Sequence, residues 1–227
     1  MLSSHRPTFA LAVLSLCAVA GASAQADPDR AVTGGGTMPA GWQARTDRNR
    51  PLANVRFIPM NVGHHVTLGP AAIFWRDADT ASRSYSVAAK FWQFPSDTHR
   101  DHLEGYGLLI GGSDLDGSGQ RYTYFLIRGD GAFLVKRRMG DSTWAVTKDW
   151  VPSPAVVKPD SGAKVEMANP TENTLAIRVA GVTMSFLVND REVYTANAAD
   201  VDAQGVLGYR VNHNLNVHLG PIAITRQ

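Results

Sequence analysis

The sequence predicts an all-β protein, an antiparallel sandwich of two sheets. Two observations point there. Beyond the first forty or so residues the chain is a succession of short apolar or alternating runs separated by Gly, Pro, Asn and Asp, the spacing of a sandwich. No stretch past the N-terminus carries the 3.6-residue apolar stripe of an ordinary amphipathic helix, and no repeat of fixed period is present.

The N-terminus reads differently from the rest. A basic start with Arg6 precedes the apolar run 9–20 and the small residues Gly21-Ala22-Ser23-Ala24, the pattern of a Sec-type signal peptide cleaved after Ala24. The run is shorter than the roughly 20 residues a permanent membrane span needs. Cys17 follows the bulky Leu16, where a lipid-attachment signal wants a small residue, so no membrane anchor is expected and the protein is expected in the periplasm or outside the cell. Cys17 is the only cysteine, so the exported chain would carry neither thiol nor disulfide, and its stability must come from its core. Without Arg6 the balance is 21 Lys+Arg against 20 Asp+Glu, a net charge of +1 that argues against nucleic acid or an anionic membrane as partner.

Residues 25–40 contain Gly34-Gly35-Gly36 and no apolar period, and are expected to form a flexible leader. A single domain is expected over 41–227, long enough to bury roughly 70% of its unfolded surface. Its strands are predicted in order at 55–60, 65–68, 72–76, 85–94, 106–111, 122–128, 132–138, 143–146, 163–168, 175–179, 182–188, 192–195, 205–211 and 218–225, each β-branched or aromatic and bounded by turn residues. The clearest hairpin joins 122–128 to 132–138. Asp130-Gly131 suits a two-residue type I′ turn, which would set Gly129 opposite Ala132, Arg128 opposite Phe133, Leu126 opposite Val135 and Tyr124 opposite Arg137. In that register Phe125, Ile127 and Leu134 face the core, while Tyr122, Tyr124, Arg128 and Arg137 form an outer face of rings and cations. A second hairpin is expected around Ala180-Gly181, with a further turn at Asn189-Asp190.

Tyr106-Gly107-Leu108-Leu109-Ile110-Gly111, the 122–138 hairpin, Asn173-Thr174-Leu175-Ala176-Ile177-Arg178-Val179, Phe186-Leu187-Val188-Asn189-Asp190-Arg191-Glu192-Val193 and Gly205-Val206-Leu207-Gly208-Tyr209-Arg210-Val211 occur in an order that resembles the concanavalin A-like lectin and glucanase superfamily. The resemblance covers most of 55–226, and extends to laminin-G-like domains and to secreted bacterial domains related to 3-keto-disaccharide hydrolase-like domains. It implies a jelly roll of two curved antiparallel sheets, with any ligand on the concave sheet or rim loops. Glycosidases of this fold carry two glutamates flanking an aspartate on one strand. This chain departs from that: Glu104, Glu166, Glu172 and Glu192 are scattered.

The function expected is therefore carbohydrate recognition without catalysis, with a glycan or polysaccharide as partner. The alternatives are a glycan-processing hydrolase with a different acid and base, and a scaffold for another envelope protein. Candidate ligand residues are Trp92, on the outward side of its strand where a flat ring can stack on a sugar, with Tyr122, Tyr124 and Arg137. Asn212, His213 and Asn214 belong to the densest amide and imidazole cluster, suited to hydroxyl groups but also to turns. In the hydrolase alternative, His102 is the base, Asp101 its orienting partner, and Glu104 a further carboxylate. The same loop, with His99 and with His64-His65 elsewhere, matches no defensible zinc spacing and is expected to be solvated. Asp114 and Asp116, before Gly117, resemble the start of a calcium loop, but its twelfth position is Phe125 rather than glutamate. No cofactor is expected.

Overall fold

The computed structural model describes residues 28–94, 103–159 and 169–227. Among them are sixteen strands: β1 (Gln43–Thr46), β2 (Val55–Pro59), β3 (His64–Leu68), β4 (Ala72–Ala81), β5 (Tyr85–Gln93), β6 (Gly105–Ser113), β7 (Arg121–Arg128), β8 (Ala132–Met139), β9 (Ser142–Ala145), β10 (Val151–Pro152), β11 (Thr171–Ala180), β12 (Thr183–Val188), β13 (Arg191–Asn197), β14 (Gly205–Val211), β15 (Asn216–Leu219) and β16 (Ala223–Arg226). They form two antiparallel sheets. The front sheet runs β1-β4-β14-β6-β7-β8-β10, with β9 also on β8; the back sheet runs β13-β12-β11-β5-β15-β3-β2, with β16 also on β5.

The central back-sheet strands β5 and β11 follow strict alternation. Tyr85, Val87, Ala89 and Phe91 of β5, and Leu175, Ile177 and Val179 of β11, are buried between the sheets while their neighbours in sequence face outward. The front sheet is different because β6 and β7 are buried on both faces. Phe125, Ile127, Phe133 and Val135 join the sandwich core, whereas Tyr122, Tyr124, Leu126 and Leu134 belong to a second apolar cluster on the outer face with Ile73, Trp75, Leu109 and Leu115. Continuous apolar runs in a central strand are the expected signature of that double burial.

The β7–β8 hairpin shows why the expected register is one residue out. Arg128, not Gly129, pairs with Ala132, so Tyr124 faces Lys136, Leu126 faces Leu134 and Phe125 faces Val135. The loop has three residues, Gly129-Asp130-Gly131, with a positive φ only at Gly131 (+88°) and the Gly131 N–H donating to the Arg128 carbonyl at 3.1 Å. A turn followed by a left-handed glycine is the usual three-residue solution. A slip of one residue exchanges faces, so Leu134 leaves the sandwich core, Val135 enters it, and Arg137 moves to the face opposite Tyr124.

The two-residue turn with both φ values positive occurs instead at Asn189 (+49°) and Asp190 (+63°), between Val188 and Arg191. Asn189 also knits three segments together, accepting from the Thr174 N–H and donating to Ala155 O and Asn173 Oδ1 at 2.8–2.9 Å. In the β11–β12 hairpin the loop is Gly181-Val182, one residue beyond the expected pair.

Three further differences have local causes. The strand expected over 218–225 is broken by Gly220-Pro221 into β15 and β16, which follow one another along β5, and the Gly220 N–H still reaches Lys90 O at 2.7 Å. The short strands β1 and β10 carry too few residues for an alternating signal. The segment expected as a free leader is tied down from Pro28 onward: the Arg30 guanidinium donates to Leu68 O and Leu215 O, and the Val32 N–H donates to Asn54 Oδ1. The strand expected at 163–168 lies outside the described residues.

The loop geometry predicts that Gly131→Ala lowers stability by about 1 kcal/mol, the cost of forcing a Cβ into the left-handed region. Gly129→Ala, whose Cβ would meet only ordinary contacts at 3.5–3.6 Å, should be near neutral. Urea unfolding of both variants checks this; equal losses would contradict the three-residue loop.

Candidate functional site

The outer face of the front sheet carries a cleft of about 740 Å³. Its floor is made by Tyr122, Tyr124 and Leu126 of β7 and Leu134 of β8, and its rim by Asp47, Arg48, Leu103, Glu104, Lys136, Arg138, Trp150 and Asn212. A second hollow of about 450 Å³ adjoins it, sharing Asp47, Arg48, Glu104, Arg210 and Asn212 and adding His213 and Asp29.

Arg210 lies at the centre. It follows Tyr209, a core residue, so alternation along β14 turns its side chain outward onto the apolar face, where it is only 7% exposed. A buried guanidinium must be paired. Asp47, just past β1, answers with a bidentate bond, Nη1 to Oδ1 at 2.7 Å and Nη2 to Oδ2 at 2.6 Å. The guanidinium also lies 5.7 Å from the Tyr124 ring centre, and its Nε donates to Asn212 Oδ1 at 3.3 Å. Burial alone would raise the Asp47 pKa, but Arg210, with Arg138 and Arg48 beyond it, outweighs burial and holds the carboxyl below its ordinary value. For Arg210 burial pulls the other way and Asp47 again wins, so the guanidinium is held above its ordinary value. Burial pushes the Tyr124 phenol up to about 12, which keeps it a neutral hydrogen-bond donor in the cleft.

The loop that delivers Asp47 is bent sharply. Arg48 (φ +56°) and Asn49 (φ +51°) both occupy the left-handed region, unusual for an arginine. The bend is held by the Asp47 N–H on Ala71 O at 2.8 Å and by a Thr46 hydroxyl bond to Arg50 O. Opposite it, Trp150 packs its ring on the Arg128 guanidinium at 4.5 Å and over Gly105, where a Cβ would come within 2.5 Å of the ring. Gly105 therefore leaves the room that Trp150 fills at the cleft edge.

The sequence candidates are divided by this geometry. Tyr122 and Tyr124 form the cleft floor, and Asn212 and His213 reach its rim. His213 Nε2 lies 3.0 Å from Glu104 Oε1 and its Nδ1 lies 3.6 Å from Asp29 Oδ1. Asn214 is 8% exposed and bonds to Arg30 N and Pro28 O, in a left-handed turn. Arg137 is on the opposite side of β8, bonded to both oxygens of Asp202 at 2.5 and 3.0 Å, and that hydrogen bonding holds its pKa above the ordinary value. Trp92 is on the outer face of the back sheet, its indole N–H on Glu172 at 2.8 Å, Lys90 over its ring and His218 edge-on. Trp92 and Arg137 thus share no surface with Tyr122 and Tyr124.

The polar loops resolve into turn chemistry. Asp114 accepts from the Gly119 N–H at 2.8 Å, and Arg45 donates to the carbonyls of Leu115 and Gly117, so the loop that resembles a calcium site carries a guanidinium on its carbonyl side and lays Leu115 over the outer apolar cluster. Asp116 is exposed. Among the described residues no group of three or more His, Cys, Asp or Glu could hold a metal ion. His64 stacks on Phe57 at 4.6 Å, and burial, then Arg76 and His218, lowers its pKa. Asp101 and His102 lie outside the described residues; Glu104 is the described member of that set. The residues that sequence reasoning missed are Asp47, Arg48, Lys136, Arg138, Trp150 and Arg210. An arginine inside an apolar strand run, as Arg210 is, was the signal available for the last.

Comparison of the sequence with family profiles and with curated proteins finds no match. Comparison of the fold does. The structure is similar to the carbohydrate-binding module CBM66 of Bacillus subtilis, with a TM-score of 0.57 and 11% identity over 81% of this chain and 94% of that one. It is also similar to a Bacillus subtilis protein with a galectin-like fold, with a TM-score of 0.51 and 8% identity over 82% of this chain and 90% of that one. The likeness is one of fold: these proteins share the two-sheet antiparallel β-sandwich that the sequence pattern predicts.

Asp47 predicts a pH dependence. Because its folded pKa is depressed, the stabilisation is present above the ordinary carboxylate pKa and is lost as pH falls through the depressed value. Asp47→Asn should cost about 2 kcal/mol at pH 7, less than a fully buried pair because Asp47 is 33% exposed. It should also flatten the acid limb of the stability profile. Urea midpoints of both proteins between pH 7 and pH 3 check this; parallel profiles would contradict it.

Proposed function

We propose that the protein is an exported carbohydrate-recognition domain that binds a glycan in the cleft on the outer face of the front sheet. The observation that carries the reading is the composition of that cleft. Its volume falls in the range of about 300–1,000 Å³ usual for ligand sites. Its apolar floor of tyrosine and leucine is bordered by Trp150 and by side chains that donate and accept hydrogen bonds in fixed positions. Sugars present both an apolar ring face and directional hydroxyls, and need both kinds of surface. A carbohydrate-binding module with the same fold supports the reading by analogy only.

In this reading Trp150 offers the stacking surface and Tyr124 a neutral hydroxyl donor. Asn212 and Glu104, which flank Gly105 on the rim, accept hydroxyl hydrogens. Arg210, already paired with Asp47, sets the shape of the floor. Trp150→Ala should weaken glycan binding by about 2 kcal/mol, the loss expected of an aromatic anchor, and Tyr124→Phe by about 1 kcal/mol, the worth of one hydrogen bond. Trp92→Ala should leave affinity unchanged. Calorimetric titration with the best binder from a polysaccharide panel measures all three, and a loss confined to Trp92→Ala would move the site to the back sheet.

Glycan processing is the second reading, favoured by the Glu104–His213–Asp29 chain at the junction of the two hollows. A carboxylate against an imidazole can hold or transfer a proton. The two readings part on Glu104→Gln in the same panel: recognition predicts no product from either protein, processing predicts product release that the variant abolishes.

Export follows from the N-terminal pattern of Arg6, the apolar run and the Ala22–Ala24 small-residue site. Protein recovered from the periplasm or medium should have an intact mass beginning at Gln25 with no acyl chain. A mass that includes Cys17 with lipid would overturn this.

A further inference from the structure

The charges around the cleft are unevenly committed. Asp47 is held by Arg210. Glu104 faces His213 at 3.0 Å. Arg138 is anchored through Nε to Gly140 O at 2.7 Å; its guanidinium lies 3.8 Å from the already paired Asp47 and 3.6 Å from Asp141, a carboxylate 96% exposed at a hairpin tip. The side chains of Lys136 and Arg48 line the cleft and, among the described residues, make no hydrogen bond or ion pair.

Their placement gives the cleft a direction. On β8, Lys136 lies opposite Tyr124 and Arg138 opposite Tyr122, two residues apart and so on one face. Glu104 precedes β6, at the end where Gly105 pairs with Arg128. From Glu104 to Lys136 the path crosses two strand spacings and about five residues of rise, roughly 15–20 Å between backbone positions. One end of the cleft therefore presents Lys136 and Arg138 beside tyrosine rings, with Asp141 at its exposed tip and Asp47 committed to Arg210, and the other presents Glu104 and an amide.

We propose that the cleft selects an anionic sugar, with its carboxylate or sulfate ester between Lys136 and Arg138 and its hydroxyls toward Asn212 and Glu104. This rests on the glycan-binding reading and names its ligand class. The near-neutral whole chain gives no general attraction for anions, so a charge preference would arise in the cleft itself. Glu104 repels an anion placed the other way round, which fixes the orientation.

The test uses three probes on the exported chain: an oligogalacturonate, its carboxyl-reduced neutral counterpart of the same length, and a sulfated galactan oligosaccharide. Tighter binding of either anionic probe than of the neutral one, by about tenfold at low salt and less as salt rises, is the expected result. Whichever anionic probe prevails identifies the group. Lys136→Gln should erase the preference without altering the thermal midpoint, while Lys90→Gln, on the back sheet, should keep it. Equal or tighter binding of the neutral probe, or a preference that survives Lys136→Gln, overturns this inference and leaves glycan binding standing. If none of the three probes binds and neutral polysaccharides also fail, both readings fall together.

Discussion

A guanidinium in the middle of an apolar sheet face is the constraint on which the candidate site depends. Arg210 is turned outward by the alternation of β14, because Tyr209 before it and Val211 after it belong to the core. Left alone there it would carry a large desolvation cost. Asp47, held just past β1 by its N–H on Ala71 O, removes that cost, and the consecutive left-handed residues Arg48 and Asn49 turn the chain directly after it. Leu115 and Trp150 pack on the outer apolar cluster, and the cleft is bordered by Trp150 and by the bend at Asp47, Arg48 and Asn49.

The front sheet thus has two cores, and this separates what could be read from the sequence from what could not. Strand positions were legible because β-branched and aromatic runs end at Gly, Pro, Asn and Asp. The faces of those strands were legible only where one face is polar, as in β5 and β11. In β7 and β8 both faces are apolar near the turn, so Leu134 and Val135 looked interchangeable, and a three-residue loop could pass for a two-residue one. That single slip carried Arg137 to the cleft and Arg138 away from it. Tyr122 and Tyr124 were placed correctly on an outer face because they lie on the strand before the loop, where no slip intervenes.

Trp92 illustrates a different limit. Its outward direction on β5 was readable from Phe91 and Ala89 in the core, but no local pattern says which sheet a strand joins. That is decided by pairing across long sequence separations, β11 on one side and β15 on the other. The cleft residues show the same dependence: Asp47 meets Arg210 across 163 positions, and Trp150 reaches Gly105 across the sheet. Asn212 and His213 were found by composition, whereas Asn214 in the same cluster serves the backbone of the N-terminal segment.

In the proposed function, ligand recognition lies on the outer face of the front sheet rather than on the Trp92 surface. Backbone amide chemical shifts followed during titration with a binding oligosaccharide test this most directly. The shifts should concentrate at 103–105, 122–126, 134–138 and 210–213. Shifts concentrated instead at 90–93, Glu172 and His218, with the front-sheet amides unmoved, would contradict it.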